Sequence, residues 1–335
     1  MESPKISIII PVYNCENLLN CCLDSIKNQS LTDIEIICID DGSNDNSYAI
    51  LKEYASNDPR FKIYQQENNG AGFARNKGIE NSHGKYILFV DSDDYIENNT
   101  CEVLYEQANR LDCDLILFNS IKHFKNNTDY NLIHFKKNKD INYKIRVFNS
   151  EYFRDRIFDG EYGVIWNKLY KSSFIKKDNI TFPKHKIYND VEFHIKTTIL
   201  AEKISYVDKV LYHYNRQGHS SLQTSYVKTK YTLVFFDVLY GIVDFLVNEE
   251  LFDEYRIEFI NFTIFELKNK LKSIDENSKQ EFFEKTKEFY YFLELKLDEI
   301  DEIPFKYFMH YIFVLNSKNY IDFIKNINRN ENFYF

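Results

Sequence analysis

The feature that most constrains the fold of this chain is a regular alternation of short apolar runs and helical periodicity between Lys5 and Asn119. The runs are rich in isoleucine and aromatic residues, which favour β-strands. They occupy residues 6–10, 34–39, 61–64, 86–90 and 115–118. Strands that alternate with helices are typical of a parallel sheet with crossover connections. We therefore predict an α/β fold with a mostly parallel, Rossmann-like sheet and flanking helices.

The segments between these runs carry the spacing of helices. Between the first two runs, apolar residues fall on one helical face; they are Leu18, Leu19, Cys22, Leu23 and Ile26. The next helix is predicted to follow Asp45, whose side chain is a good N-cap. Because the strand runs are apolar at nearly every position, we expect both faces of the sheet to be covered.

Composition and patterning exclude several classes of protein. The 335 residues include 42 Lys and Arg and 51 Asp and Glu, a formal net charge of −9, so the chain lacks the basic character of a nucleic-acid binder. The most apolar window, residues 234–247, contains Asp237 and Asp244 and is shorter than the ~18 residues of a membrane span. The six cysteines have no metal-like spacing, so we expect reduced thiols and no zinc site.

The first residues of the chain bear on its location. They run directly into the strand at residues 6–10, without the charged region, apolar core and cleavage site of a secretory signal. We therefore expect a cytoplasmic location, with no transmembrane span.

Polar side chains follow three of the predicted strands where each strand ends. Tyr13 and Asn14 follow the first strand, Asp40 and Asp41 the second, and an acidic cluster that starts at Asp91 the fourth. In an open α/β sheet, ligands bind beyond the carboxyl ends of the strands. We therefore expect an aromatic ring and two acidic clusters to share one rim.

The pair Asp91 and Asp93 is the strongest candidate for a metal site. Two residues apart in an extended segment, both carboxylates project to the same side and can reach one cation. The candidate ligands are all oxygen atoms, which favours Mg²⁺ or Mn²⁺ together with a diphosphate. Taken alone, the pair is also compatible with a solvated acidic turn and helix N-cap.

Tyr13, Asp40 and Asp41 suit a nucleoside. The ring of Tyr13 offers a face for stacking on a base, and Asp40 or Asp41 could accept a hydrogen bond from a base N–H group. Ordinary packing of Tyr13, and an Asx-capped turn at the two aspartates, are the alternatives.

A glycine-containing segment, Gly70–Arg75, follows the third strand. It is not a dinucleotide fingerprint, because that motif follows the first strand and needs a third glycine where Arg75 stands. The glycines let the backbone approach a ligand or turn into a helix, and Arg75 could reach a phosphate as a forked donor. An exposed arginine on the surface is the alternative.

These residues together resemble the family 2 glycosyltransferases, which are inverting enzymes with the GT-A fold. The specific matches are Ser7–Asn14 (SIIIPVYN), Ile39–Asp45 (IDDGSND), Asn69–Gly78 (NGAGFARNKG) and Gly84–Tyr95 (GKYILFVDSDDY). Weaker matches follow at Trp166–Tyr170, Asn189–Phe193 and Tyr212–Tyr214. The resemblance covers about the first two-thirds of the chain.

The resemblance implies a role for each matched position. Pro11, Tyr13 and Asp41 would hold the uracil of a UDP-sugar, while Asp91 would lie near the ribose. Asp93 would bind the Mn²⁺ or Mg²⁺ that bridges the phosphates. Asp190 would be the catalytic base, with helix N-capping as a compatible structural role. The family usually has Glu before this Asp, and this chain has Asn189 instead.

The reaction implied is a single displacement with inversion. The metal and Arg75 would neutralise charge on the departing diphosphate, and Asp190 would take the proton of the attacking hydroxyl. The expected donor is a UDP-linked hexose or N-acetylhexosamine. The expected acceptor is a glycan or lipid-linked glycan, as in surface polysaccharide assembly.

Two further residues are candidates for acceptor binding. Trp166, the only tryptophan, could stack on a sugar ring or belong to the core. His213 could contact a phosphate or the acceptor, although single histidines are more often structural or solvated.

The predicted domain organisation has two parts. Residues 1–225 form the GT-A domain, with a nucleotide-binding half at 1–120 and an acceptor and catalytic-base half at 121–225. Residues 226–335 form an all-helical region, with segments near 226–249, 253–273, 278–297 and 303–327. Its aromatic stripes favour packing or a homodimer contact, and leave peripheral association with the inner face of the cell membrane open.

Two other functions compete with this prediction. A catalytically silent nucleotide-sugar-binding scaffold would keep Tyr13, Asp41 and Asp93 without turnover. A nucleotidyltransferase would also use a carboxylate-held metal, but it would need a basic, glycine-rich loop after the first strand, where this chain has Pro11–Asn14.

Overall fold

We analysed a computed structural model that describes residues 3–124, 127–133, 147–158, 163–216 and 229–329. The chain divides into two compact units, residues 1–219 and 220–335, and each is described by itself. The predicted boundary between residues 225 and 226 falls outside the described residues and stays a prediction.

The first unit is built on one mixed sheet. Its strand order is β3-β2-β1-β4-β8-β6-β9-β5, and β7 pairs with β6 beside this path. The strands are β1 (Ile6–Val12), β2 (Ile34–Asp40), β3 (Phe61–Gln65), β4 (Tyr86–Phe89), β5 (Tyr95–Ile96), β6 (Leu115–Phe124), β7 (Asn127–Ile133), β8 (Lys168–Lys171) and β9 (Ile204–Arg216).

Strand direction divides the sheet. The four strands β1 to β4 are parallel, as predicted from the alternating runs. Beyond β4, strand β8 is antiparallel to both of its neighbours, β6 is parallel to β9, and β5 is antiparallel to β9. Every residue of β1, β2 and β4 is buried. The prediction that both faces of these strands are covered is therefore confirmed.

Helices flank this sheet. They are α1 (Leu19–Lys27), α2 (Ser47–Asn57), α3 (Ala71–Glu80), α4 (Thr100–Leu111), α5 (Ser172–Lys177) and α6 (Asn189–Leu200). Helix α1 buries the face predicted from its spacing, including Leu23 and Ile26. Asp45 lies one residue outside the N-cap of α2, where its carboxylate accepts a hydrogen bond from the Ser47 N–H group at 3.0 Å.

The second unit is helical over the part of it that the structure describes, residues 229–329. Its α-helices are α7 (Val234–Asn248), α8 (Phe252–Ser273), α9 (Lys279–Leu293), α10 (Phe305–Asn316) and α11 (Tyr320–Arg329). The prediction of one helix over 303–327 was wrong, because α10 ends at Asn316 and a separate helix, α11, begins at Tyr320. The Asn319 side chain accepts a hydrogen bond from the Asp322 N–H group at 2.9 Å. The Asp322 carboxylate accepts one from the Lys318 N–H group at 3.0 Å. These two contacts cap the N-terminus of α11.

One segment of the helical unit passes a length and hydropathy test for a membrane span. It is Tyr231–Asn248, and half of it is buried within the fold. Asp237 and Asp244 are exposed on this segment, which also fits a core helix of the unit with one polar face. The α/β sheet with a C-terminal helical region is confirmed as the fold class.

Candidate active site

The ends of β1 and β2 bring Tyr13 and Asp41 side by side. Val12 and Asp40 are paired in the parallel register, and the Asp41 N–H group donates to the Val12 carbonyl at 2.8 Å. Pro11 is buried within β1, and Tyr13, the next residue after the strand, is half-buried. Tyr13 and the first acidic cluster of the predicted rim therefore lie together at this end of the sheet.

Asp41 holds the loop that leads into α3. Its Oδ1 accepts hydrogen bonds from Gln66 Nε2 at 2.8 Å and from the Asn69 N–H group at 2.9 Å, and its Oδ2 accepts one from the Gly70 N–H group at 2.8 Å. Gly70 has a φ of +97° and passes close to Lys186, so it needs the freedom of glycine. Asp41 thus fixes the structure of the rim and is also a candidate for binding a nucleobase.

Asp40 is completely buried behind Asp41. Its Oδ2 accepts a hydrogen bond from Gln65 Nε2 at 3.0 Å. Its Oδ1 is buried and has no hydrogen-bond partner among the described residues. A carboxylate oxygen in this position is unusual, because burial without a partner is costly.

The acidic motif after β4 is a turn anchored by its last residue. Asp94 is buried, and its carboxylate accepts hydrogen bonds from Tyr212 Oη at 2.6 Å and from the Asn215 N–H group at 2.8 Å. Tyr212 Oη also accepts one from the Asp91 N–H group at 3.1 Å. One tyrosine on β9 therefore fixes both ends of the turn, while Asp91 and Asp93 remain partly exposed.

The crowding of negative charge in this turn fits a cation site. Burial, followed by the charges of Asp93 and Asp91, raises the pKa of Asp94 well above its usual range. Within the residues that the structure describes, no group of three or more His, Cys, Asp or Glu side chains could hold a metal ion. This donor set suits Mg²⁺ or Mn²⁺, which proteins often hold with one or two carboxylates plus substrate phosphates.

Arg75 joins the acidic motif to helix α6, which carries Asp190. It lies on α3 and is 7% exposed, so the alternative of a surface arginine is wrong. Its Nη2 donates to Asp91 Oδ1 at 2.7 Å, and its Nη1 donates to Asn189 Oδ1 at 3.0 Å. Residues 91 and 189 are thereby held on two sides of one guanidinium.

Asp190 lies in the first turn of α6, directly after Asn189. Burial raises the pKa of its carboxyl, while the positive charge of Arg75 acts in the opposite direction. The N-cap of α6 is Tyr188, and no side chain caps this helix by hydrogen bonding. A half-buried carboxylate with a raised pKa is a stronger base than an exposed one, which suits general-base chemistry.

Lys168 is a second cation near Asp190. It is completely buried on β8, where its Nζ donates to Asn167 Oδ1 at 2.8 Å and to the Val164 carbonyl. Burial lowers the pKa of Lys168 to about 7, although the charge of Asp190 acts to raise it. No role was predicted for Lys168; the available signal was a charged residue inside the Trp166–Tyr170 match.

Trp166 lies in the hydrophobic core and is 6% exposed. Its ring stacks on Tyr212, with 4.4 Å between ring centroids, and on Tyr214 at 5.5 Å. It therefore supports the tyrosine that fixes the acidic motif. The proposed stacking of Trp166 on an acceptor sugar stays a prediction.

His213 belongs to a chain of side chains around β5 and β9. Its Nδ1 and His123 Nε2 are 2.9 Å apart, its Nε2 lies 2.7 Å from Glu97 Oε1, and its ring stacks on Tyr95 at 4.4 Å. Tyr95 directly follows the acidic motif. The structure thus places His213 next to that turn, and contact with an acceptor stays a prediction.

The sequence patterns predicted the aspartates as site residues but did not predict the groups that contact them. Tyr212 and Asn189 were inside matched segments, but no role was assigned to the tyrosine and no partner to the asparagine. Their contacts span 118 and 114 residues along the chain, so no local pattern could have revealed them.

Comparisons with known proteins point to one family of enzymes. The sequence model of Glycosyl transferase family 2 matches residues 7–178. "Putative glycosyltransferase EpsH" of Bacillus subtilis (strain 168) is 36% identical over 79% of this chain and 75% of that protein. Glycosyltransferase GlyA of Streptococcus pneumoniae is 35% identical over 65% of this chain, which spans only 31% of that longer protein.

A solved structure shares the fold. S. aureus TarS 1-349, in a crystal structure with UDP-GlcNAc, superposes with a TM-score of 0.74 and 22% sequence identity, over 93% of this chain and 91% of that chain.

Proposed function

This chain belongs to glycosyl transferase family 2 and is a glycosyltransferase, and on that premise we propose that it transfers a hexose or N-acetylhexosamine from a UDP-sugar to a hydroxyl of a glycan or lipid-linked glycan. The observation that carries the proposal is the double contact of Arg75 with Asp91 and Asn189. It keeps the acidic motif and the candidate base Asp190 next to each other. A single displacement needs the donor diphosphate and a base within one site.

The rim of β1 and β2 suits a pyrimidine nucleoside. Tyr13 offers a ring for stacking, and an ionised carboxylate can accept about four hydrogen bonds. Asp41 uses three of these in its contacts with the described residues, two at Oδ1 and one at Oδ2. Oδ2 can therefore accept a further hydrogen bond from the imide N–H group of uracil. TarS, which has the same fold, is known with UDP-GlcNAc.

Asp93 is the residue that would hold Mn²⁺ or Mg²⁺ together with the donor diphosphate. Such an ion, when bound, supplies positive charge that stabilises the negative charge of the leaving diphosphate. Tyr212 keeps the turn in place through Asp94 and the Asp91 N–H group, so that Asp93 is presented from a fixed backbone.

Asp190 would act as the base. Its carboxylate takes the proton from the acceptor hydroxyl while that oxygen forms a bond to the anomeric carbon and the bond from this carbon to the diphosphate oxygen breaks. Attack from the face opposite the leaving group inverts the anomeric configuration. Burial raises the pKa of Asp190 and so makes its carboxylate more basic, while the positive charge of Arg75 acts in the opposite direction.

The test is a UDP-release assay over a panel of UDP-sugars and acceptors, with Mn²⁺ or Mg²⁺. We expect Asp93→Ala to lose metal-dependent UDP binding, and Asp190→Asn to keep UDP binding with kcat reduced by about 10³-fold, within the usual range for a general base. Asp112→Asn is a matched control, because Asp112 lies at the exposed end of α4 and pairs with Lys171. Full activity of Asp190→Asn would remove the base assignment, and UDP binding without release from any donor would favour the silent scaffold.

A further inference from the structure

Arg75 stands where three elements meet. It lies on α3, one terminal nitrogen contacts the turn after β4, and the other contacts the first residue of α6. The side chain is 8% exposed and that of Asp91 is 25% exposed. The guanidinium also lies over the ring of Phe182, 5.5 Å from its centroid. Its surroundings are therefore almost entirely protein.

Further contacts join α3 to the segment that carries the base. Asn76 Nδ2 donates to the Phe182 carbonyl at 2.9 Å, and Asn76 Oδ1 accepts from the Phe182 N–H group at 2.8 Å. A Cβ atom at Gly72 would lie 3.0 Å from Asn189 Cβ and 3.2 Å from the Pro183 carbonyl oxygen. The two segments thus pack so closely that a side chain at position 72 would press on Asn189.

The same helix is fixed to the nucleotide rim. In the loop before α3, the N–H groups of Asn69 and Gly70 donate hydrogen bonds to the Asp41 carboxylate. Helix α3 and this loop therefore connect Asp41, Asp91 and the N-terminus of α6. A shift of any one of these groups would be transmitted through packed side chains and hydrogen bonds.

We propose that Arg75 is a positioning residue that couples the acidic motif to the base, holding Asp91 and Asn189 together so that Asp190 stays aligned with the donor. The proposal rests on the proposed function, since it assigns Asp190 a reaction to be aligned for. A planar guanidinium can donate to two acceptors in fixed directions, which an ammonium cannot reproduce. A misplacement of about 1 Å can reduce catalysis by about 10²-fold.

This role differs from the phosphate contact expected from the sequence. Both terminal nitrogens of Arg75 donate to protein oxygens, and little of the guanidinium is exposed to a ligand. If Arg75 bound a phosphate, its positive charge would be needed, and lysine supplies that charge too. A positioning residue needs two donors in fixed directions, which the guanidinium has and the ammonium group of lysine lacks.

The test compares Arg75→Lys, Asn189→Leu and the double variant. We expect each single variant to reduce kcat by about 10²-fold, the cost of a misplaced group. UDP affinity with Mn²⁺, measured by calorimetry, should change by less than about threefold, because the contact between Arg75 and Asn189 lies within the protein. Because both substitutions break the same Arg75–Asn189 contact, the double variant should be no slower than the slower single variant.

Arg60→Lys is the matched control. Arg60 also donates to a carboxylate at 2.7 Å, that of Asp58, and lies just before β3 rather than beside the base. Its variant should keep the kcat of the wild type.

The outcomes separate this inference from the proposed function. Unchanged kcat in Arg75→Lys and Asn189→Leu overturns the positioning role, and so does an additive double variant. A third outcome also overturns it: a large loss of UDP affinity in Arg75→Met together with normal UDP affinity in Arg75→Lys would show that Arg75 binds a phosphate. A wild type that releases UDP from no donor defeats the proposed function itself, whatever these variants do to UDP affinity.

Discussion

The rim at the ends of β1 and β2 and the α6 segment, residues 163–216, differ in what places their polar groups. At the rim, strand register is enough, because Val12 and Asp40 are paired and the residues that follow them are neighbours. In the α6 segment, side-chain contacts to distant elements fix the groups: Asn189 is held by Arg75 of α3, and Tyr212 is bound to Asp94 after β4. In one site, backbone pairing can thus position one group of residues while side-chain contacts position the other.

This comparison predicts different consequences of mutation in the two halves. Changes at the rim should affect nucleotide binding and the stability of the loop before α3. Changes in the α6 segment should affect turnover or the geometry of the acidic motif.

Asp41→Ala should have the largest effect. It removes the acceptor for Gln66 Nε2 and the N–H groups of Asn69 and Gly70. A hydrogen bond to a charged group contributes about 1.5–3 kcal/mol, so the free energy of unfolding should fall by at least about 1.5 kcal/mol in a urea titration. UDP binding should become undetectable by calorimetry. Asp112→Asn, at an exposed carboxylate, should keep the UDP affinity of the wild type, and normal UDP affinity in Asp41→Ala would contradict the rim assignment.

Tyr212→Phe should have an intermediate effect. It removes the hydroxyl that donates to Asp94 and accepts from the Asp91 N–H group, and the ring can still stack on Trp166. Loss of a hydrogen bond to a charged group costs about 1.5–3 kcal/mol, which a denaturant titration would detect. Metal-dependent UDP affinity should fall by about tenfold, equivalent to roughly 1.4 kcal/mol.

Tyr206→Phe controls for the loss of a tyrosine hydroxyl on the same strand, since its Oη donates to Asn119 and Asp208 instead. If Tyr212→Phe lost stability and kept full metal-dependent UDP affinity, the tyrosine would stabilise the fold without organising the acidic turn.

Lys168→Met should have the smallest effect, visible mainly as a change with pH. Burial lowers the pKa of Lys168 to about 7, below the ~10.4 expected for the unfolded chain. Between these values the unfolded chain binds the proton and the folded protein does not, so this lysine makes the wild type more stable as pH rises. Relative to Lys168→Met, the free energy of unfolding should increase from pH 7 to pH 9, by at most about 1.4 kcal/mol per pH unit.

The same titration with Lys171→Met, on the same strand but paired with Asp112 at the surface, controls for removing a lysine from β8. A flat difference between the wild type and Lys168→Met would show that Lys168 is protonated in the folded protein across this range.

The sequence alone determined the parallel strands and the helices between them, and it placed Tyr13 and Asp41 at the neighbouring ends of β1 and β2. Apolar periodicity and strand ends are local properties, and the side chains at the ends of parallel strands meet by geometry. The matched motifs also indicated Asp190, although no spacing argument connected it to the rim. The break between α10 and α11 was not predicted, because the apolar periodicity of the two helices runs across it without a proline or glycine.

Only the tertiary structure decided how the site is held together. It showed that Arg75 is buried between Asp91 and Asn189, that Trp166 packs on Tyr212, and that Lys168 lies in the core near Asp190. These contacts join residues tens to more than a hundred positions apart. Their energies depend on burial and on the direction of each donor, and neither is encoded in the local pattern of residues.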